Sequence, residues 1–398
     1  MTEPTAYPKP RTCPFSVDPD YARLREERPV EKVPMMGGDH AWLVTRHDLV
    51  RQVLGDPRLS SDRRRPGFPQ FSANQQSVFR DLPPAMIGMD APEHTAARRA
   101  VLGEFTVRRI EAMRPRIQQI VDECIDGILA GPRPVDLVST LSLPVPSLVI
   151  CELLGVPYAD HDFFQQRSSR LVHRTTPLEQ RISSARELRA YLEELVSAKE
   201  RDLPDDLLGR QARKQRESGE IDHSALVSSA FLLLVAGHET TANMISLSTL
   251  ALIENPEQRA EIVADPAKTL PAVEELLRYF SIVEGATSRV AVADVEIGGV
   301  LIRAGEGVMA LTSAANRDPE AFERPDELDI DRKARHHVAF GFGPHQCLGQ
   351  NLARMELQIV VDALFRRVPN LRLAVPVEDL PVKSEASVFG LYELPVTW

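Results

Sequence analysis

The stretch AFGFGPHQCLGQNLAR, residues 339–354, sets a thiol between a glycine-rich, proline-containing turn and the start of an amphipathic helical pattern. A cysteine just ahead of a helix has its sulfur near unpaired backbone N–H groups and the positive helix end, which favours thiolate over thiol. Glycines at 341, 343 and 349 let the backbone approach a flat partner closely and adopt positive φ where a turn needs it. That geometry suits a metal ligand shielded by amides. Cys347-Leu348 on its own would suggest something plainer, a small core residue near a helix cap.

Around this loop lies a chain of 398 residues, 43% apolar and 26% charged, with both signs interspersed. Such a chain is long enough to enclose a deep, dry cavity, and its composition is that of a globular protein. The formal charge of −10 argues against a general nucleic-acid-binding surface. No uninterrupted apolar run approaches the eighteen residues of a membrane span, and MTEPTAYPKPRTCPF lacks the basic start and apolar middle of a signal peptide. The expectation is a cytoplasmic protein without a membrane or nucleic-acid partner. Four cysteines (13, 124, 151 and 347) are widely spaced and form no CxxC pair; Cys124 and Cys151 sit in apolar helical patterns as core residues.

No repeat or glycine-serine linker divides the chain, so one domain over residues 1–398 is expected, with about residues 1–15 as a Pro-rich arm. Helical periodicity covers 106–130, 184–202, 224–254, 269–280 and 348–367. Strand-like runs at 41–45 and 293–302, the latter with a Gly298-Gly299 turn, predict small hairpins. The fold class is mainly α with minor β. Residues 58–90 and 170–181 are read as long loops, mobile lids whose arginines could meet polar groups on a large ligand.

Two further constellations carry chemistry. FLLLVAGHETTANMISL, residues 231–247, is an apolar helix interrupted by Gly237 and by Glu239, Thr240 and Thr241. A carboxylate in such company is costly unless it is solvated or hydrogen-bonded, and a mid-helix threonine can bond back to the carbonyl four residues earlier and open the helix locally. In VEELLRYF, Glu275 and Arg278 form an i, i+3 pair, weak evidence alone because Glu111 and Arg114 share that spacing.

The spacing Phe340, Gly343, Cys347, Gly349 resembles the haem-binding loop of the cytochromes P450, a ten-residue pattern of high specificity. AGHETT resembles that family's oxygen-activating motif, VEELLRYF its ExxR helix, and DAPEHTAARR, residues 90–99, its C helix. The likeness runs from AWLVTRHDLVRQVLGDPRLSSD near the start to GLYELPVTW at the end, and is closest to the soluble actinobacterial class, streptomycete-type family 105.

The resemblance implies a P450 fold, with haem b (iron protoporphyrin IX) between a long central helix and a cysteine loop. Cys347 would be the proximal thiolate, with Phe340 beside the sulfur; His94, Arg98, Arg289 and His345 would serve the propionates. Thr240 would hydrogen-bond dioxygen or its water while Glu239 relays protons, and Glu275 with Arg278 would be structural. The family usually supplies a further arginine where this chain has Pro325-Asp326-Glu327; Arg324 or Arg332 could substitute. Substrate contacts fall on Met86, Ile87, Leu232, Val235, Ala236, Val283, Ala286 and Phe389.

The implied activity is hydroxylation or epoxidation of a bulky hydrophobic small molecule, such as a macrolide or other secondary metabolite, by a monomer using dioxygen. Electrons would come from a ferredoxin and its NAD(P)H-dependent reductase, docked on Arg98, Arg99, Arg108, Arg109 and Arg354. A peroxide-driven or coupling enzyme on the same fold and a non-catalytic haem sensor are the alternative readings; a sensor would need no proton relay at Glu239 and Thr240.

Overall fold

The computed structural model describes residues 6–71, 85–173 and 175–398. Its axis is the central helix His223–Glu254. Asp222 caps that helix by accepting from the Ala225 N–H at 2.9 Å, and Pro256, which cannot continue the ladder, opens the next helix. From Thr241 to Leu252 every residue is buried, because neighbouring helices surround this half. Pro144–Leu154 and Leu178–Asp202 pack along it, as do Thr269–Phe280 and the post-cysteine helix Gln350–Arg367. Val107–Ala130 lies against the post-cysteine helix. Each leucine fully enclosed here contributes roughly 1.5–3 kcal/mol relative to an exposed one, which is how an apolar helix by itself unremarkable becomes the core. The central helix is also long and apolar enough to cross a membrane by composition, yet it carries buried His238, Glu239 and Asn243 and sits inside the protein.

The strands are short: β1 Val30–Pro34, β2 His40–Val44, β3 Leu59–Ser60, β4 Val135–Asp136, β5 Ser288–Ala291, β6 Val295–Ile297, β7 Val300–Ile302, β8 Gly307–Ala310, β9 Arg372–Leu373 and β10 Pro395–Thr397. One sheet has the order β1-β2-β8-β5-β3, with β2 and β8 parallel and its other pairs antiparallel. A second has the order β4-β10-β9. β6 and β7 form the expected hairpin, turned at Gly298 (φ 56°) and Gly299 (φ 79°), the double positive φ that a two-residue turn requires.

Mainly α with minor β therefore holds, and four of the five helical patterns match within about a turn. One expectation needs correction. The helix read as 184–202 begins at Leu178, and the one before it ends at Val172, so residues 170–181 are mostly helix rather than a long loop. Within the arm, Tyr7 pairs with Met35, and Arg11 is buried. Of the loop read over 58–90, residues 72–84 lie outside the described residues; β3 and a turn of 3-10 helix, Met86–Gly88, occupy parts of the remainder.

Candidate active site

Cys347 lies three residues ahead of the post-cysteine helix. Positive φ at Gly341 (71°) and Gly343 (72°) folds the preceding loop back, so that the Cys347 N–H donates to Phe340 O at 2.8 Å. A Cβ on Gly343 would meet Leu54 O at 2.7 Å, whereas one on Gly349 would meet no atom within 4 Å, leaving that side open to a flat neighbour. The cysteine keeps exposed area although many protein atoms lie around its sulfur. Burial raises its pKa, and the Gly349 N–H with Arg98 and Arg354 offsets only part of the rise. The helix-end argument for a free thiolate therefore loses to desolvation. A metal cation bound in place of the proton would hold the sulfur as thiolate.

Behind the loop two charge clusters hold it. Arg278 and Glu275, both with side chains fully buried, form a two-pronged pair at 2.8 Å and 2.8 Å. Arg278 also donates to Asn316 O and Pro325 O, each at 2.7 Å. Arg332 is the third partner, donating from Nε to Glu275 at 3.1 Å; Arg324 instead pairs with Glu327 at the surface. In the second cluster Glu274 accepts from Arg354 at 2.6 Å and lies 3.1 Å from His337, whose other ring nitrogen accepts from the Ala339 N–H. Although Glu274 is desolvated, His337 and Arg354 bring its pKa down to about 2. The Arg354 guanidinium also lies over the Phe340 ring at 4.6 Å. Arg354 is thus committed inward, which corrects its place in an outward basic patch.

Beside the cleft, positive charge accumulates. The rings of His94 and His345 stand 3.9 Å apart, and Arg98 donates to Gln346 O at 2.7 Å. Arg289, 4% exposed, has a 2.8 Å bond to its neighbour Ser288 O, and Arg63 adds a cation near it. Burial, reinforced by Arg289, His94 and Arg98, pushes His345 down to about 3; burial and Arg63 push Arg289 down to about 10. The His94 pKa is lowered too, and its Nε2 is buried without a hydrogen-bond partner. Asp90 lies nearby but is engaged by Ser60 and the Ser61 N–H. Two arginines that stay charged beside two imidazoles held neutral suit an anion.

On the central helix, Thr240 Oγ1 donates to Ala236 O at 2.8 Å and Thr241 Oγ1 to Gly237 O at 3.3 Å. The back-bonding expected from the sequence is present, but the helix runs unbroken through it. Leu232, Val235 and Thr240 are partly exposed and Ala236 is exposed, an open strip at mid-helix. Met86–Gly88 packs against this helix, and Val283 and Ala286 are partly exposed. Phe389 differs: at 4% exposure it is core-packed, with the Arg11 guanidinium 4.1 Å over its ring.

Glu239 turns away from solvent and meets Lys383 Nζ at 2.8 Å; Lys383 also donates to Asn243 Oδ1 at 2.9 Å. Burial would raise the Glu239 pKa, yet Lys383, then His238, outweigh it and hold the carboxyl below its ordinary range. Lys383 arrives on a turn closed by its own N–H donating to Gly390 O, and Gly390 touches Asn243 where a Cβ could not fit. Lys383 and Arg63 were missed as site residues. Asn243 was legible, four residues from Glu239 on the same face, but nothing local marks a lysine 144 residues away.

A family model described as "Cytochrome P450" matches residues 156–396. The chain is 50% identical to vitamin D3 dihydroxylase of Streptomyces griseolus, over 100% of this chain and 98% of that one. Among solved structures, cytochrome P450 MoxA (CYP105) from Nonomuraea recticatena superposes with a TM-score of 0.92 at 58% identity, covering 99% of this chain and 98% of the other. The mycinamicin VIII C21 methyl hydroxylase MycCI from Micromonospora griseorubida, bound to mycinamicin VIII, gives 0.94 at 43% identity, covering 99% and 100%.

Proposed function

The chain belongs to the cytochrome P450 family, with its near relatives in family 105, and from that premise we propose that it hydroxylates a bulky, largely apolar secondary metabolite of the macrolide class. The cofactor is haem; we assign it the b form, iron protoporphyrin IX. The residues present fit that group: a sulfur with exposed area ahead of the helix, an open side at Gly349, and Arg98 and Arg289 with two neutral imidazoles, one of them with an unpaired Nε2, where two propionates would lie. Cys347 would hold the iron and His94, Arg98, Arg289 and His345 the propionates, with Arg63 beside them. Bound there, haem supplies activation of dioxygen and insertion of one oxygen atom into a C–H bond, and a thiolate ligand favours O–O cleavage.

The chain's own work is binding and proton supply. Met86, Ile87, Leu232, Val235, Ala236, Val283 and Ala286 would line the apolar cleft, keep it dry and orient the substrate; Phe389 would back that wall from the core. One oxygen atom enters the product and the other leaves as water, so two protons must cross a cleft built to exclude solvent. Thr240 Oγ1 is the hydroxyl at mid-helix, and Glu239 is the adjacent carboxylate. Because Lys383 holds Glu239 ionised, proton transfer through that carboxylate requires the Lys383 contact to loosen or Lys383 itself to pass the proton. The observation that carries the reading is the open strip Leu232–Val235–Ala236–Thr240 on the central helix.

Electrons would come from a ferredoxin and its reductase. Arg99, Arg108 and Arg109 are exposed around the apolar side chains of Leu102 and Val107, a basic rim on an apolar centre that suits an acidic carrier. We take the protein to work as a cytoplasmic monomer. The test is turnover of a macrolide panel with NAD(P)H, ferredoxin and reductase under ¹⁸O₂. One labelled oxygen in the product is expected; label drawn from water, or equal turnover with peroxide alone, contradicts the reading.

A further inference from the structure

Burying an arginine is expensive unless its donors are met and its charge is compensated. Arg11, on the arm, is 8% exposed, and burial with Arg317 nearby pushes its pKa down to about 10, so it enters the core as a cation at neutral pH. All three guanidinium nitrogens are used on carbonyls: Nε on Ser16 O at 3.0 Å, Nη1 on Phe280 O and Nη2 on Pro14 O, both at 2.7 Å. Its flat face covers the Phe389 ring at 4.1 Å.

These contacts fall at one corner. Phe280 ends the helix Thr269–Phe280, and Ser281 turns the chain through a left-handed φ of 43°, strained for a non-glycine residue. The chain then runs straight into Ile282–Ala286. There the Phe389 N–H donates to Ile282 O at 2.8 Å, the Glu284 N–H to Ser387 O at 3.0 Å, and Val283 pairs with Val388. On the other side Gly285, at φ 91°, lies against Phe71, whose ring a Cβ would meet at 2.9 Å. The corner is clamped between Phe71 and the Arg11–Phe389 stack, and it presents partly exposed Val283 and Ala286.

We propose that Arg11 is a specificity-determining positioning residue, which fixes from behind the corner of Ile282–Ala286 and Val388–Phe389 and so sets the width of the substrate cleft. The proposal rests on the haem-and-cleft reading above. The hydrogen-bond and ring partners of Arg11 are protein groups behind the corner. It acts by holding the Phe280 carbonyl and the Phe389 ring, which locate the two segments of the corner.

The test compares the holoprotein with Arg11→Gln and Arg11→Lys by optical titration with clotrimazole, a bulky imidazole that fills the cleft, and with imidazole, which does not. In Arg11→Gln the clotrimazole Kd should change by roughly threefold to tenfold, the size of effect carried through packed neighbours, with the imidazole Kd constant. Amide exchange at Glu284 and Phe389 should accelerate, while exchange at Gly341 and Cys347 stays slow. Arg11→Lys should fall between. Equal shifts for both ligands, or no shift with unchanged exchange at the corner, would overturn the proposal even if thermal stability drops. If Arg11→Gln does not fold, an unchanged clotrimazole-to-imidazole ratio in Arg11→Lys overturns it. Failure of the unmutated protein to respond to either ligand contradicts the haem reading instead, and the exchange comparison, which needs no ligand, still decides Arg11.

Discussion

The charge clusters behind the cysteine loop and the cations beside the cleft are both buried, but they are built in opposite ways. Behind the loop, Glu275, Arg278 and Arg332, and Glu274, His337 and Arg354, answer one another within the protein. Beside the cleft, Arg289 meets the like charge of Arg63, burial and the nearby arginines hold the His345 imidazole neutral, and the His94 Nε2 is left unpaired. Buried polar groups that complete one another make scaffold; buried groups left over belong to a ligand. Glu239 and Lys383 form a third kind of site, a complete pair placed beside a surface that must handle protons.

Breaking the scaffold should have the largest effect. Arg278→Ala removes the two-pronged partner of Glu275 and leaves that buried carboxylate only the single Arg332 contact, a loss of roughly 3–5 kcal/mol, so little folded protein is expected. Arg332→Ala should cost less, because Arg278 still holds Glu275. Arg324→Ala, an exposed pair, should cost about 0–1 kcal/mol. Urea midpoints measure all three, and equal losses for Arg332→Ala and Arg324→Ala would remove the distinction drawn between them.

Cations beside the cleft should respond differently. Arg289→Gln relieves like-charge crowding, so the haem-free protein should be as stable as the parent or more so. Haem transfer to apomyoglobin should become roughly tenfold faster or more, matching the loss of a charged hydrogen bond. A variant that loses apoprotein stability while keeping haem would place Arg289 with the scaffold.

The Glu239–Lys383 pair sharpens the comparison through pH. Glu239 has a depressed pKa, so its pair stabilises the fold above the ordinary value of 4.5, and that contribution is lost as pH falls through the lower folded value. Lys383→Met reverses the sign: the carboxyl loses its chief counter-charge, burial dominates, and the penalty grows as pH rises above that value. The variant should therefore be more destabilised at pH 8 than at pH 5. Product per NAD(P)H should fall both here and in Thr240→Ala, which should keep its haem and divert electrons to peroxide or water. An unchanged yield in Thr240→Ala contradicts the relay assignment.

Glu356 is a buried carboxyl without a counter-charge among the described residues. Burial alone raises its pKa to about 8, and its Oε2 has no partner. A raised acid binds its proton more tightly when folded, so stability declines as pH rises from 4.5 towards 8 and then levels off. Glu356→Gln should raise the melting temperature by a few degrees at pH 9 and hardly at pH 5.

The motifs were legible because each is local. Cys347 sits in a loop whose glycines declare their φ, and the Glu275–Arg278 pair needs a single helix turn. Central-helix periodicity ran true to within a residue at its start. What escaped the sequence depends on tertiary contact. The choice of Arg332 over Arg324 depends on where the chain turns after Phe322, and the inward pairing of Arg354 requires Glu274 from a distant helix. Lys383 and Arg11 look like surface charges until the fold buries them. Phe389, an apolar residue near the end of the chain, could be assigned to cleft or core only once Arg11 was seen over its ring. The thiol shows the limit of a one-term argument: the helix end favours thiolate, but burial is the larger effect.

The most direct measurement is the absorption spectrum of the dithionite-reduced, carbon monoxide-treated protein beside that of Cys347→Ala. The account predicts the long-wavelength Soret band of thiolate ligation in the parent and its loss in the variant. A band of the imidazole type in the parent, or a thiolate-type band that survives in Cys347→Ala, would contradict it.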